Sequence, residues 1–258
     1  MAKRPAKAKI LACLGAALGV AALALPVLAQ QTIVTDDLLI AHEGVSQAEA
    51  EAFAGEAERA YREVTRYLGR GHDRIISIRV GDRYDVPTAY HARSTIVVGA
   101  NRLRGDAGGA GRWRAIGPAI VHEITHLVAG QSRGEDGRQV QFLDEGLAVF
   151  VQEKFKLADD RSFPNMGRDL HEETVRWSRQ YERMAPLGDT HKPRWLDGGP
   201  RDLIYLQAGS FVRFLVETAG LQKFMLLYEG RSYEQVYGRP LEALEKEWLA
   251  FLKAVRAE

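Results

Sequence analysis

One stretch, residues 115 to 130, constrains this chain more than any other. Ile120, Val121, Ile124, Leu127 and Val128 recur with helical periodicity. Gly117-Pro118 supplies a start, with proline at the first helical position, and Gly130 supplies a stop. On such a helix His122 and His126 lie about 40° apart, and the apolar residues fall roughly 100° to 160° from His122. One side is a core stripe and the other presents two imidazoles. The polar side reads His122-Glu123-Ile124-Thr125-His126. Histidines at i and i+4 can hold one zinc ion, and Glu123 beside them can reach a water on it.

A second segment completes the pattern. Residues 138 to 156 are predicted to be a helix with Leu143, Leu147, Phe150 and Val151 on one face. Glu145 falls on the opposite side with Gln141, Ala148 and Gln152, which predicts a carboxylate facing away from the core stripe. Eighteen residues separate it from His126. Two histidines and a carboxylate, with a fourth position left for water, form a catalytic zinc arrangement. The plainer readings are polar surface histidines and, for Glu145, a charge in the first turn of its helix. Rival ligand sets are weaker. A third histidine would be expected at 132 after a glycine at 129, where this chain has Ser132 and Ala129. His171-Glu172-Glu173-Thr174-Val175 lacks a second histidine. His42, His72, His91 and His191 have no partner at ligand spacing and read as surface residues. Asp144 is a candidate to orient His126 from behind, since zinc-binding histidines usually need such a partner.

The rest of the chain supplies the frame. Residues 46 to 68 are predicted to be a helix, capped by Ser46 with Glu49 three residues on and stopped by Gly69 to Gly71. Residues 75 to 80 and 94 to 99 read as strands. Four glycines between Gly105 and Gly111, with no Lys-Ser/Thr after them, read as a loop and not as a phosphate cradle. Beyond 115 nearly everything periodic is helical. The exception is 159 to 200, where Pro164, Pro186, Pro193 and Pro200 break the pattern around one helix near 168 to 184. Strands and helices first, helices afterwards, predict an α+β fold. We expect an α/β lobe over 30–130 and a helical lobe over 131–258, with a cleft between them.

Composition removes other classes. With 46% hydrophobic and 27% charged residues, the chain is neither disordered nor polytopic. Four of its 35 basic residues (Lys3, Arg4, Lys7 and Lys9) precede residue 30, where no acidic residue occurs. The remainder is slightly acidic, so no nucleic-acid partner is expected. Cys13 is the only cysteine, which excludes an intrachain disulfide and a cysteine-bound zinc. The basic flank, the uncharged run from Ile10 and Val27-Leu28-Ala29 read as a secretory signal over 1–29, cut near Ala29. The alternative is an uncleaved N-terminal anchor. Either places the body outside the cytoplasm, periplasmic or secreted, and a cleaved chain has no membrane span.

These motifs resemble the gluzincins, the thermolysin-like metallopeptidases. The spacing, with Leu143-Asp144-Glu145-Gly146 around the third ligand, is similar to the aminopeptidase N-like branch. The resemblance covers roughly 75 to 256 and is strongest over 115 to 151. Tyr205-Leu206-Gln207-Ala208-Gly209-Ser210-Phe211, Gly220 and the segment Leu241 to Leu252 look like the small peptidase MA-like proteins. The resemblance implies a zincin-like fold, with a small mixed sheet, an active-site helix and a mostly helical C-terminal part. It further implies a zinc-dependent hydrolase acting on peptides, with His122, His126 and Glu145 as metal ligands and Glu123 as general base. The family's oxyanion donor is a tyrosine shortly before a glycine-containing helix. Tyr205 matches it best, although Gly209 is four residues on where the family has three. Tyr181, His171 and His191 are alternatives, and packing against Gly209, Val212 and Val216 is the other reading of Tyr205. Asp202 is expected to cap a helix beginning near Leu203, with Tyr205 in its first turn. Aminopeptidases of the branch bind the substrate amine through a Gly-x-Met-Glu-Asn strand. The corresponding strand here, Val98-Gly99-Ala100-Asn101-Arg102, has no acidic residue, which favours an endopeptidase. A non-catalytic binding protein on the same scaffold and a zinc amidase acting on cell-wall peptide are the other readings.

Overall fold

Two short runs ahead of the first helix, β1 (Gln31–Val34) and β2 (Leu38–His42), join β3 (Ile76–Gly81), β4 (Thr88–Tyr90) and β5 (Thr95–Gly99) in one sheet of order β1-β2-β3-β5-β4. The computed structural model describes residues 31–85, 87–103, 113–131, 140–155, 163–182, 184–192 and 194–256. The expected signal over 1–29 and the glycine-rich stretch from 105 to 111 lie outside them. β2, β3 and β5 run parallel, and β1 and β4 are antiparallel edges. Ile40, Ile78 and Ile96 stand in one row across the three central strands, and all are fully buried.

Parallel neighbours need a crossover. Between β2 and β3 it is α1 (Gln47–Leu68). Ser46 and Glu49 form the expected capping box, and Gly69 closes the helix in the left-handed region at φ 68°. Phe53, Ala57, Ala60 and Val64 join the sheet residues in one core. α2 (Trp113–Gly130) packs against α1. It begins five residues before Pro118, so that proline lies in the second turn and not at the helix start. Ahead of Gly117, Trp113 to Ile116 are residues that tolerate a helix, and the missing amide of Pro118 costs one backbone hydrogen bond without ending it.

The remaining elements are all helical: α3 (Gln141–Lys154), α4 (Leu170–Gln180), α5 (Leu187–Thr190), α6 (Arg201–Ala219), α7 (Leu221–Tyr228), α8 (Tyr233–Tyr237) and α9 (Leu241–Ala254). The class is therefore α+β, as the order of the sequence patterns predicts. α3 departs from expectation in one respect. It is buried nearly all round, Ala148 and Gln152 included, because α2 packs on one side of it and α6 on the other. Arg213 of α6 bridges Glu153 of α3 and Asp169, the N-cap of α4, at 3.2 and 2.7 Å.

α3 and α6 approach closely because glycines face the contact. A Cβ on Gly146 would lie 2.6 Å from the Ala208 carbonyl oxygen and 2.6 Å from Val212 Cγ2. One on Gly209 would lie 2.4 Å from Val149 Cγ1. Gly146→Ala is accordingly expected to destabilise the fold by about 1–3 kcal/mol, the usual cost of overpacking. Gly55→Ala, on an exposed turn of α1 with nothing within 4 Å, should instead stabilise it by about 0.5–1 kcal/mol. Urea unfolding followed by circular dichroism separates the two.

Candidate metal centre

α2 and α3 bring the two halves of the sequence pattern together. His122 Nε2 lies 3.1 Å from His126 Nε2 and 3.2 Å from Glu145 Oε2, and His126 Nε2 lies 3.4 Å from the same oxygen. The three donor atoms form a nearly equilateral triangle. In a tetrahedral zinc site with bonds of about 2.0–2.1 Å, neighbouring donors are about 3.3–3.4 Å apart. The donor set of two imidazoles and one carboxylate also suits zinc better than magnesium or calcium, which prefer oxygen alone. Two nitrogen lone pairs and an anionic oxygen aimed at one point repel unless a proton or a cation lies among them. The residues present therefore fit the metal.

The local sequence explains how such groups can be buried. Ile120, Val121, Ile124 and Leu127 anchor α2 in the core, and Thr125 returns its hydroxyl to the Val121 carbonyl at 2.7 Å. Glu123 is 9% exposed beside the triangle. Behind His126, its Nδ1 stands 3.2 Å from Asp144 Oδ1, which also accepts a 2.6 Å hydrogen bond from the Tyr228 hydroxyl of α7. Asp144 thus occupies the orienting position expected for it. Tyr228 and His91 are the neighbours that sequence reasoning missed. His91 is half-buried and not a surface residue, and its ring centre lies 6.3 Å from that of His126. His91, His126 and Asp144 also bring ligand atoms within 4.8 Å of one another. Neither neighbour follows a spacing rule, because each comes from a different element. His42, expected at the surface, is 1% exposed in β2, and His72 is half-buried.

Charge follows from this packing. Burial by itself lowers the pKa of His126, but Asp144 and then Glu145 outweigh it and hold the imidazole well above its usual 6.5. Burial likewise raises that of Glu145, yet the hydrogen bonds from His122 and His126 prevail and keep it well below the carboxylate range.

Tyr205 lies in the second turn of α6, not the first. The helix starts at Arg201 after Pro200, and Asp202 is a first-turn residue instead of its cap. Proline cannot donate a competing amide hydrogen bond and readily precedes a helix, so the start moves forward. The Tyr205 side chain is mostly buried, packed on Trp195 and Phe163 at ring distances of 5.1 and 5.2 Å. Burial and then the charge of Glu145 push its hydroxyl up to about 12, Arg201 works against them, and Glu123 adds to them. Tyr205 therefore stands in the field of Glu145 and Glu123. The three alternatives are engaged elsewhere. His171 bonds Ser210 at 2.8 Å beneath Phe251, and His191 bonds Tyr233 at 2.7 Å. Tyr181 packs on Trp177 at the end of α4.

No protein-family model matches the sequence, and no characterised protein matches it. Among solved structures the fold is similar to a glutamate-to-alanine mutant of a two-domain M1 zinc metallopeptidase bound to L-arginine. That match has 15% identity and a TM-score of 0.47, over 87% of this chain and 50% of the other. It is also similar to an M1 zinc metallopeptidase from Deinococcus radiodurans. A glutamate-to-alanine mutant of that enzyme gives 14% identity and a TM-score of 0.43 over 88% and 48% of the two chains. A further structure of it gives 15% identity and 0.42 over 86% and 48%. The chain spans about half the length of these proteins.

Because His126 holds a proton well above its usual pKa, a metal ion must displace that proton. Zinc affinity is expected to rise about tenfold per pH unit over the range in which His126 would otherwise stay charged, which extends above the ordinary imidazole range. Asp144→Asn, which removes the charge behind His126, should flatten that slope and lower affinity about 10–100-fold. Competition with a chromophoric chelator at several pH values measures both.

Proposed function

We propose that this chain is a zinc-dependent peptidase acting outside the cytoplasm. The single observation that carries this reading is the triangle of His122 Nε2, His126 Nε2 and Glu145 Oε2, with Glu123 one residue along the same helix. Bound there, zinc supplies a Lewis acid that polarises a carbonyl and lowers the pKa of a water toward ~7. Glu123 takes the proton from the attacking water and passes it to the leaving amine. Asp144, steadied by Tyr228, holds His126 in the tautomer that leaves Nε2 free for the metal. Tyr205 donates its hydroxyl to the oxyanion that develops on the carbonyl. Its raised pKa suits this role, since a phenol that stays protonated remains a donor.

Among these activities we favour an endopeptidase. The strand read from sequence as the counterpart of the family's amine-binding strand, Val98 to Arg102, begins at the end of β5, which lies inside the sheet between β3 and β4. Edge position belongs to β4, whose antiparallel pairing puts it outermost on that side, and β4 also touches α2. An extended peptide can add to such an edge through its main chain. Thr88-Ala89-Tyr90 and the following His91 offer it no carboxylate for a free amine. The N-terminal 29 residues, read as a secretory signal, carry the assignment to the periplasm or medium. Among the described residues no helix is long and apolar enough to cross a membrane.

Glu123→Gln is expected to retain one zinc per molecule and to lose peptide hydrolysis by about 10²–10⁴-fold, since the amide cannot accept the water's proton. Unchanged turnover would assign the base elsewhere. Tyr205→Phe should lower kcat by about a hundredfold with little change in KM, because the oxyanion exists only in the transition state. Steady-state kinetics on a peptide library hit checks this, and a change confined to KM would return Tyr205 to a packing role.

A further inference from the structure

Arg201 is the first residue of α6, one turn ahead of Tyr205, and its side chain is exposed. Its guanidinium carbon lies 5.4 Å from the centre of the Tyr205 ring and 5.9 Å from that of Phe163. Those two rings meet edge to face, and Trp195 backs Tyr205. Since Tyr205 stands in the field of Glu145 and Glu123, Arg201 is one side chain removed from the metal-ligand triangle.

Its position is not explained by the fold. A cation in the first turn of a helix opposes the helix dipole. Arg168, Arg176, Arg194, Arg213 and Arg239 each hold a carboxylate. Among the described residues Arg201 holds none, and its contacts are two aromatic rings and the Tyr205 hydroxyl, to which it donates. Ring contacts engage the charge of a guanidinium without consuming N–H donors, and the hydroxyl of Tyr205 takes one of five, so a pair remains for a bidentate carboxylate. The rings also exclude water from one side of the guanidinium, which strengthens any pairing made on the other.

We propose that Arg201 sets substrate specificity by binding a carboxylate carried by the peptide. That carboxylate is either the C-terminus or an Asp or Glu side chain near the scissile bond. The proposal rests on the peptidase reading above and deepens it, giving the cleft a preference for acidic peptides. Phe163 and Tyr205 hold the fork of donors in place, so the site reads a planar anion and not charge alone.

Binding, rather than turnover, tests it. Isothermal titration of the zinc-loaded Glu123→Gln protein with four acetylated pentapeptides separates the sources of the carboxylate. One pair is penta-alanine as the free acid and as the amide. The other is Ala-Ala-Glu-Ala-Ala-amide and its glutamine counterpart. The carboxylate-bearing member of at least one pair is expected to bind about tenfold tighter or more, as a hydrogen-bonded charge pair would give. The pair that shows the difference names the source. Adding R201Q should bring that ratio to about 1, and R201K, which keeps the charge but not the fork, should leave an intermediate ratio. Equal affinities within both pairs overturn the proposal and leave the peptidase reading standing. A preference that survives R201Q and R201K unchanged also overturns it, since the carboxylate would then sit on the metal. Failure to bind any of the four peptides overturns the peptidase reading and this proposal together.

Discussion

Where α3 crosses α6, the α-carbon of Gly146 faces the carbonyl of Ala208, and that of Gly209 faces the side chain of Val149. Neither place has room for a methyl group, so the two backbones meet as closely as helices can. Glu145 is the residue before Gly146, and Tyr205 stands one turn before Gly209. Close approach of the backbones therefore brings the carboxylate of one helix and the phenol of the other into the same small volume. On its other side α3 packs against α2, which carries both histidines. A ligand triangle with sides of 3.1 to 3.4 Å tolerates little error, and the glycine contact is what sets the depth of its third corner.

The second constraint is electrostatic. His126 and Glu145 are buried together, and each keeps its charged form through its neighbours, His126 through Asp144 and then Glu145, and Glu145 through His122 and His126. Asp144 adds to this from behind, with the Tyr228 hydroxyl satisfying one of its oxygens. Two other buried histidines behave in the opposite way. Burial and then the Arg213 cation push His171 down to about 4 against the pull of Asp169 and Glu217, and burial takes His191 to about 4. Both stay neutral at neutral pH and serve the packing of the helical region. The contrast shows why ring type alone does not make a site. His126 draws both of its carboxylates, Asp144 and Glu145, from the helix facing it and they outweigh burial, whereas at His171 a guanidinium adds to burial.

Much of this was legible in order along the chain. Periodicity placed α1, α2 and α3, and the Ser46–Glu49 capping box and Gly69 marked the ends of α1, because these signals act between residues a few positions apart. β1, β2 and β4 were not legible. A run such as Leu38-Leu39-Ile40-Ala41 is too short for its period to distinguish strand from helix, and three residues of β4 give no period at all. α3 was misjudged in a related way. Its apolar stripe is real, but a second helix covers the face the stripe leaves free, and no local pattern announces a neighbour 60 residues away.

By itself the sequence determined which side chains stand together on each helix. His122, Glu123 and His126 share α2, Glu145 follows Asp144 on α3, and Tyr205 precedes Gly209 on α6, since helical geometry turns spacing into direction. Tertiary structure alone decided which helix faces meet. It set Tyr228 against Asp144, turned His91 toward His126, engaged His171 with Ser210 and His191 with Tyr233, and stood Arg201 over Phe163 and Tyr205. The physical reason is that such contacts depend on how closely backbones pack. Here that closeness was set by the volume missing at Gly146 and Gly209, which only the partner helix makes meaningful.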